Sequence, residues 1–142
     1  GKPKITTGEI RDHLKRDPTS LLIQADEHNV DAICNHLSHV HAEVVGHRIW
    51  NSPWGHVVEV FQHGLSKGVG LAHVSKTIDI PRARIIAFGD ENNDLEMIEF
   101  AGVGVAMSNG IDELKSIADE VTIQSNNEDG IAQVLVERLQ LK

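Results

Sequence analysis

Residues 88–94 read Phe-Gly-Asp-Glu-Asn-Asn-Asp, an apolar segment running straight into carboxylates and amides. Asp90 and Asp94 offer hard oxygen donors of the kind Mg2+ prefers. That ion usually takes only one or two protein carboxylates and completes its shell with waters and phosphate oxygens. Asn93 adds an uncharged side chain that can donate to a phosphate without competing for the metal. Gly89 lets the backbone turn and leaves room for a ligand. Lys67, within His-Gly-Leu-Ser-Lys-Gly at 63–68, is the second candidate group. Positive charge at a helix N-terminus opposes the helix dipole, so a lysine there is better matched by a bound phosphate. Plainer readings exist for both. The 88–94 segment also fits an acidic turn with Asp90 or Asn92 as a helix N-cap, and Lys67 also fits a solvated surface lysine.

Residues 84–88 (RIIAF) form a continuous apolar run, predicted as a strand buried on both faces of a parallel sheet. Ligands of open parallel sheets sit beyond the carboxyl ends of the strands, which puts Asp90 in a suitable place. A helix is expected at 67–76, and another at 95–101, stopped by Gly102. A strand at 103–107, an Asn109-Gly110 turn, a helix at 111–118, a strand at 121–124 and a closing helix at 130–139 follow. Such alternation builds a parallel sheet with helices on its faces, an α/β architecture.

The first half has a different rhythm. Residues 4–17 are polar and helix-like, with Thr7 as N-cap, and Pro18 ends them. Ser20–Ala25 is a strand-length apolar run, and Val30, Ile33, Leu37 and Val40 give 26–40 a helical spacing. Residues 43–50 alternate loosely and 56–61 more clearly, with turn chemistry in Asn-Ser-Pro-Trp-Gly at 51–55. This half reads as an α+β layer ending in a hairpin. The boundary is placed near Gly64, giving regions 1–63 and 64–142.

The 142 residues amount to one domain or two small pieces of domains. With 40% apolar and 24% charged residues the composition is globular, and with 4% aromatics and no Tyr the core must come from Val, Ile, Leu and Ala. A net charge of −8 argues against a nucleic-acid partner. Anionic small substrates stay open, because a metal and one lysine can reverse the local field. The single cysteine, Cys34, excludes an intrachain disulfide framework and suits a reducing compartment. Its helical surroundings suggest a packed thiol. No apolar run approaches the roughly 18 residues of a membrane span, so a soluble, cytoplasmic protein without a membrane partner is expected. Of nine histidines, His36 and His39 stand one helical turn apart as a transition-metal pair, although solvated side chains are the expected reading.

Several stretches occur together in a fixed order: Leu65-Ser66-Lys67-Gly68; Ile-Ala-Phe-Gly-Asp-Glu-Asn-Asn-Asp-Leu-Glu-Met-Ile at 86–98; Ala-Gly-Val-Gly-Val-Ala-Met at 101–107; Ala-Asp-Glu-Val-Thr at 118–122; and Glu128-Asp129-Gly130. Over about residues 59–139 they resemble the C-terminal half of a Cof-type phosphatase of the haloacid dehalogenase superfamily. The resemblance implies a partial Rossmann-like parallel sheet preceded by part of an α+β cap. It implies Mg2+-dependent, two-step phosphoryl transfer through an aspartyl-phosphate, acting on a small phosphorylated metabolite such as a sugar phosphate. Carried over by position, Lys67 neutralises charge on the nucleophile and phosphoryl group, and Asp90 is a direct Mg2+ ligand. Asn93 contacts the phosphoryl group. Asp94 supports the metal site or orients Lys67. Trp50 and Trp54, flanking the hairpin turn, are expected to shield the small cap core rather than close over a substrate.

The family's first motif, Asp-x-Asp, does not occur in the chain. Its second, a Ser or Thr after another core strand, would also lie upstream. The chain is therefore expected to begin inside the cap and to lack phosphatase activity alone. In this family the first-motif strand lies beside the one assigned to 84–88, so an uncovered apolar edge and self-association or partner pairing are expected. Two other readings remain. One is a non-catalytic module binding Mg2+ or phosphate through Asp90 and Lys67. The other is the phosphorylation domain of an ion pump, which shares Gly-Asp-x-x-Asn-Asp. The Leu-Glu-Met-Ile continuation at 95–98 and the lack of membrane spans disfavour the pump.

Overall fold

A computed structural model describes residues 7–53 and 55–141. The chain divides into two units, Gly1–Gly64 and Leu65–Lys142.

In the first unit, β1 (Ser20–Ala25), β2 (Val45–Ser52) and β3 (Gly55–Gln62) form an antiparallel sheet in the order β1-β3-β2. Helix α2 (Glu27–Val40) packs its apolar stripe on one face. Val30 of α2 and Val58 and Val60 of β3 are buried there, with Ile33, Cys34 and Leu37 packed around them. On the opposite face Arg48 pairs with Glu59, its cross-strand partner, at 3.1 Å, and its guanidinium lies 4.5 Å above the Phe61 ring.

Two expectations fail in this unit. Residues 4–6 of the expected 4–17 helix lie outside the described residues; over residues 7–17 the helix is a single turn, α1 (Ile10–His13), whose N-cap is Glu9 rather than Thr7. None of its residues is buried, and a short polar helix without a packed face has little to hold it. Trp50 does not shield the core. It pairs with Val57, one position out of phase with buried Val58, so the pleat turns it to the face opposite α2, where it is 40% exposed. Trp54 lies outside the described residues. His39 donates from Nδ1 to the Asn35 carbonyl at 2.7 Å, and the His36 ring meets His41 edge-to-face at 5.7 Å. No group of three or more metal-ligating side chains gathers among the described residues.

The second unit is a parallel sheet, β4 (Ile86–Gly89), β5 (Val103–Ala106) and β6 (Glu120–Val121), in the order β4-β5-β6. Helices α3 (Lys67–Thr77), α4 (Leu95–Phe100), α5 (Asp112–Ile117) and α6 (Gly130–Leu139) accompany it. The fold class is α/β. The core is built from Ala87, Ile98, Ala101, Ala106 and Leu114, small and branched residues as the composition requires.

Strand β4 starts at Ile86 rather than Arg84, because Arg82–Arg84 forms a 3-10 turn. The Arg82 guanidinium donates to the carbonyls of Glu99 (2.6 Å) and Ala101 (3.4 Å), satisfying the end of α4. Burial along β4 alternates: Ala87 and Gly89 are buried, Ile86 and Phe88 half-buried. Both-face burial is therefore not found. Strand β6 is shorter than expected. Its ladder ends where the buried Thr122 hydroxyl accepts from the Ser108 N–H (2.9 Å) and donates to the Gln124 carbonyl (2.5 Å), bending the chain away.

Candidate functional site

The site grows out of the carboxyl end of β4. Gly89 is the last strand residue, and the backbone then turns into a 3-10 segment, Asn92–Asp94, that runs on into α4. A β-carbon at position 89 would lie 2.5 Å from the Asp94 β-carbon. The absent side chain is thus what lets Asp94 fold back over the strand end. There its Oδ2 accepts from the N–H of Asp90 (3.0 Å) and of Glu91 (3.2 Å). Glu91, not Asp90 or Asn92, is the N-cap, in a reciprocal capping box with Asp94.

Lys67 arrives from the other side. Ser66 caps α3 by accepting from the Val69 N–H at 3.2 Å, which places Lys67 as the first helical residue. The next residue, Gly68, is buried, and a β-carbon there would sit 2.7 Å from the Glu96 backbone. This close approach of α3 to α4 carries the Lys67 ammonium to the Asn92–Asp94 turn. It forms an ion pair with Asp94 Oδ1 and donates to Asn93 Oδ1 at 3.2 Å. Asp94 is 3% exposed, whereas the Lys67 side chain is 47% exposed. The cation is therefore held at its base by a buried carboxylate and still faces outward.

The structure brings Lys67, Asn93 and Asp94 into one hydrogen-bonded group, with Asp90 joined to it through its backbone N–H. The two aspartates are dressed differently. Both Asp94 oxygens are engaged, one by a cation and one by backbone donors. Asp90 is half-buried, its Oδ2 accepts from Asn126 Nδ2 at 3.1 Å, and Oδ1 has no hydrogen-bond partner among the described residues. One unpartnered carboxylate oxygen at a strand end fits Mg2+ when phosphate oxygens and waters supply the rest, and the nearby lysine suits the phosphate rather than the metal.

Asn109 and Asn126 were not among the residues singled out from sequence. Asn109 accepts from the Asn126 N–H at 3.0 Å, and Asn126 reaches Asp90. The Asn109-Gly110 pair reads only as a turn. The Ser125-x-x-Glu128 spacing is a capping-box signature that marks the 3-10 turn carrying Asn126. Nothing in it points to Asp90.

The family model for haloacid dehalogenase-like hydrolases matches residues 2–135. The chain belongs to this family, and its motif order is that of the Cof type. Among individual relatives, it is 54% identical over 137 residues to the 5-amino-6-(5-phospho-D-ribitylamino)uracil phosphatase YitU of Bacillus subtilis (strain 168), covering 96% of this chain and 50% of that protein. It is 42% identical over 80 residues to the phosphatase YwpJ of the same organism, covering 56% and 28%. A crystal structure of a haloacid dehalogenase-like hydrolase from Bacteroides thetaiotaomicron superposes with a TM-score of 0.78 at 30% identity, over 94% of this chain and 48% of that one. TM0651 from Thermotoga maritima does so with a TM-score of 0.71 at 33% identity, over 84% and 43%. The chain spans half or less of the length of these relatives.

Proposed function

We propose that this chain supplies the electrostatic half of a phosphate-ester hydrolase acting on a small phosphorylated metabolite. The observation that supports it best is the convergence of Lys67, Asn93 and Asp94 on the carboxyl end of β4, next to the Asp90 carboxylate. Phosphoryl transfer is mostly positioning and charge stabilisation. Lys67 binds a phosphoryl oxygen while Asp94 holds its ammonium in place. Asn93, whose Oδ1 accepts from Lys67, presents its amide N–H groups to the phosphoryl group. Asp90 contributes Oδ1 to Mg2+, which when bound neutralises charge on the phosphoryl oxygens. Asp94, with both oxygens taken, orients Lys67 rather than ligating the metal. Regions 1–63 and 64–142 are then part of a cap and part of the core.

Family-type chemistry needs an attacking carboxylate from an Asp-x-Asp strand, which this chain does not contain. The 142-residue polypeptide alone is expected not to hydrolyse a generic aryl phosphate. Combined with an Asp-x-Asp-bearing N-terminal half it is expected to do so in a Mg2+-dependent way, and Lys67→Ala or Asp90→Asn is expected to abolish the activity. Hydrolysis by the lone chain would overturn its expected inactivity. Full activity of both variants would overturn the site. Strand β4 has no partner on its outer side among the described residues, and that edge is where a completing strand or a second copy would pair. Sedimentation of the lone chain at increasing concentration tests the second copy, with a strictly monomeric result counting against it.

A sugar phosphate is the substrate first expected. A phosphorylated ribitylaminouracil is the second reading, favoured by the 54% identity to YitU, which extends through the first unit as well as the second. Comparing turnover of the two substrate types by the completed enzyme separates them.

A further inference from the structure

We propose that Asn126 is a positioning residue for Asp90. Its amide holds one carboxylate oxygen so that the other is aimed and free to take the divalent cation. The inference rests on the functional reading above and extends it to a residue outside the 88–94 segment.

Three loops meet at this point, one from the carboxyl end of each parallel strand. Asp90 follows β4, Asn109 follows β5 and Asn126 follows β6. Asn126 donates from Nδ2 to Asp90 Oδ2 at 3.1 Å across 36 residues of sequence. Because a carboxylate oxygen only accepts, this contact fixes which end of the amide faces Asp90. The backbone of Asn126 is held as well, by its own N–H to Asn109 Oδ1 at 3.0 Å. The preceding residue is pinned too. The Ser125 hydroxyl and N–H donate to the Glu128 carboxylate at 2.7 and 3.2 Å, and the Ser125 carbonyl accepts from the Gly130 N–H at 3.1 Å. The Asp90 carbonyl accepts from the Ile111 N–H at 3.0 Å, tying the β5 loop to the same residue.

The chemistry of the donor separates Asp90 from Asp94. Asp94 carries a lysine, so its charge is already balanced. Asp90 carries a neutral amide, which orients the carboxylate without cancelling the charge a cation needs. Outer groups that hydrogen-bond ligating carboxylates commonly set metal affinity in this way. Asn126 is exposed, so removing its amide leaves the core intact.

The test uses the completed enzyme, with this chain joined to an Asp-x-Asp-bearing N-terminal half, and Mn2+ as the probe, read by the electron paramagnetic resonance of the free ion. Asn126→Ala and the near-isosteric Asn126→Leu are each expected to weaken Mn2+ binding about 10-fold or more. The metal-free melting temperature should not change. The Mg2+ concentration for half-maximal rate should rise in parallel, with kcat at saturating Mg2+ retained. Wild-type Mn2+ affinity in both variants overturns the inference. A lowered metal-free melting temperature, or a kcat that saturating Mg2+ does not restore, assigns Asn126 a merely structural role and overturns it too. Asp90→Asn distinguishes the two levels. If it abolishes Mn2+ binding while the Asn126 variants do not, the function stands and only this inference falls. If it leaves binding unchanged, the metal reading beneath both falls.

Discussion

The Asp94 carboxylate joins Lys67 to the end of β4. One oxygen takes the ammonium, and the other takes the N–H groups of Asp90 and Glu91. A single buried side chain thus fixes both the direction of the lysine and the shape of the turn that presents Asp90. Stability and site geometry are coupled at this residue, so its variants report on both.

Asp94→Ala is expected to lower folding stability by about 2–4 kcal/mol, because two backbone donors, the N–H groups of Asp90 and of the N-cap Glu91, are left without their acceptor. Asp94→Asn keeps an amide oxygen for those donors and should lose less, although the lysine is released in both. Urea denaturation of the two variants beside the parent measures this. Equal losses would show that the turn does not depend on the carboxylate-to-backbone bonds.

Gly89→Ala tests the close approach that makes the turn. Its methyl would fall 2.5 Å from the Asp94 β-carbon, and overpacking of this kind costs about 1–3 kcal/mol. To relieve it Asp94 must move, and Lys67 loses its anchor. The variant is expected to be less stable and, in the completed enzyme, to bind phosphate more weakly. Gly70→Ala is the control, since nothing lies within 4 Å of the β-carbon that would be added there. Helix propensity and chain entropy favour alanine at this open helical position, so Gly70→Ala should be neutral or slightly stabilising, and an equal loss there would show that the loss at Gly89 does not come from the clash.

Much of this is legible in the sequence. Strand Ser20–Ala25 has the expected bounds, and the alternation after Gly64 gives the parallel sheet, because unbroken apolar runs and helical spacing are local signals. Lys67, Asn93 and Asp94 could be picked out as chemically able, but the capping role of Asp94 could not. It depends on how closely the chain folds back over Gly89, which is a matter of tertiary geometry. Asn109 and Asn126 were illegible for a stronger reason. They meet Asp90 only because successive parallel strands bring their following loops to one end of the sheet. Trp50 departs from the expected core position because its face depends on strand register, and a one-residue change of phase moves a side chain from core to solvent.

The loop that carries Asn126 has its own pH signature. The Ser125 hydroxyl and then its N–H hold the Glu128 carboxyl below its ordinary value of about 4.3. A depressed carboxyl contributes stability that is present above the unfolded-state value and is lost as pH falls through the folded one. The Ser125–Glu128 box should therefore be intact at neutral pH and loosen only under acid. A carbon-detected NMR titration of Glu128 checks this, and Ser125→Ala should return the midpoint toward the ordinary value. A Glu128 midpoint unmoved by Ser125→Ala would show that the box is not what holds it.

Cys34 provides a chemical probe of the first unit. It packs against the buried cluster of Ala25, Val30, Val58 and Val60, and burial pushes its thiol above the ordinary range, with the negative charge of Asp31, one helical turn earlier, adding to the effect. The thiolate is the reactive form, so raising the pKa lowers its fraction at any given pH. Alkylation by iodoacetamide near pH 8 should be slower in the native chain than in urea. It should keep accelerating with pH beyond the point, about 8.5, where a free thiol is half-ionised. Asp31→Asn removes only the lesser cause and should speed the native reaction modestly, whereas unfolding removes both. The extent of labelling over time, read by intact mass, separates these cases. Equal rates in buffer and urea would mean that α2 does not shelter the thiol against the sheet. A larger effect of Asp31→Asn than of urea would make charge, not burial, the dominant cause.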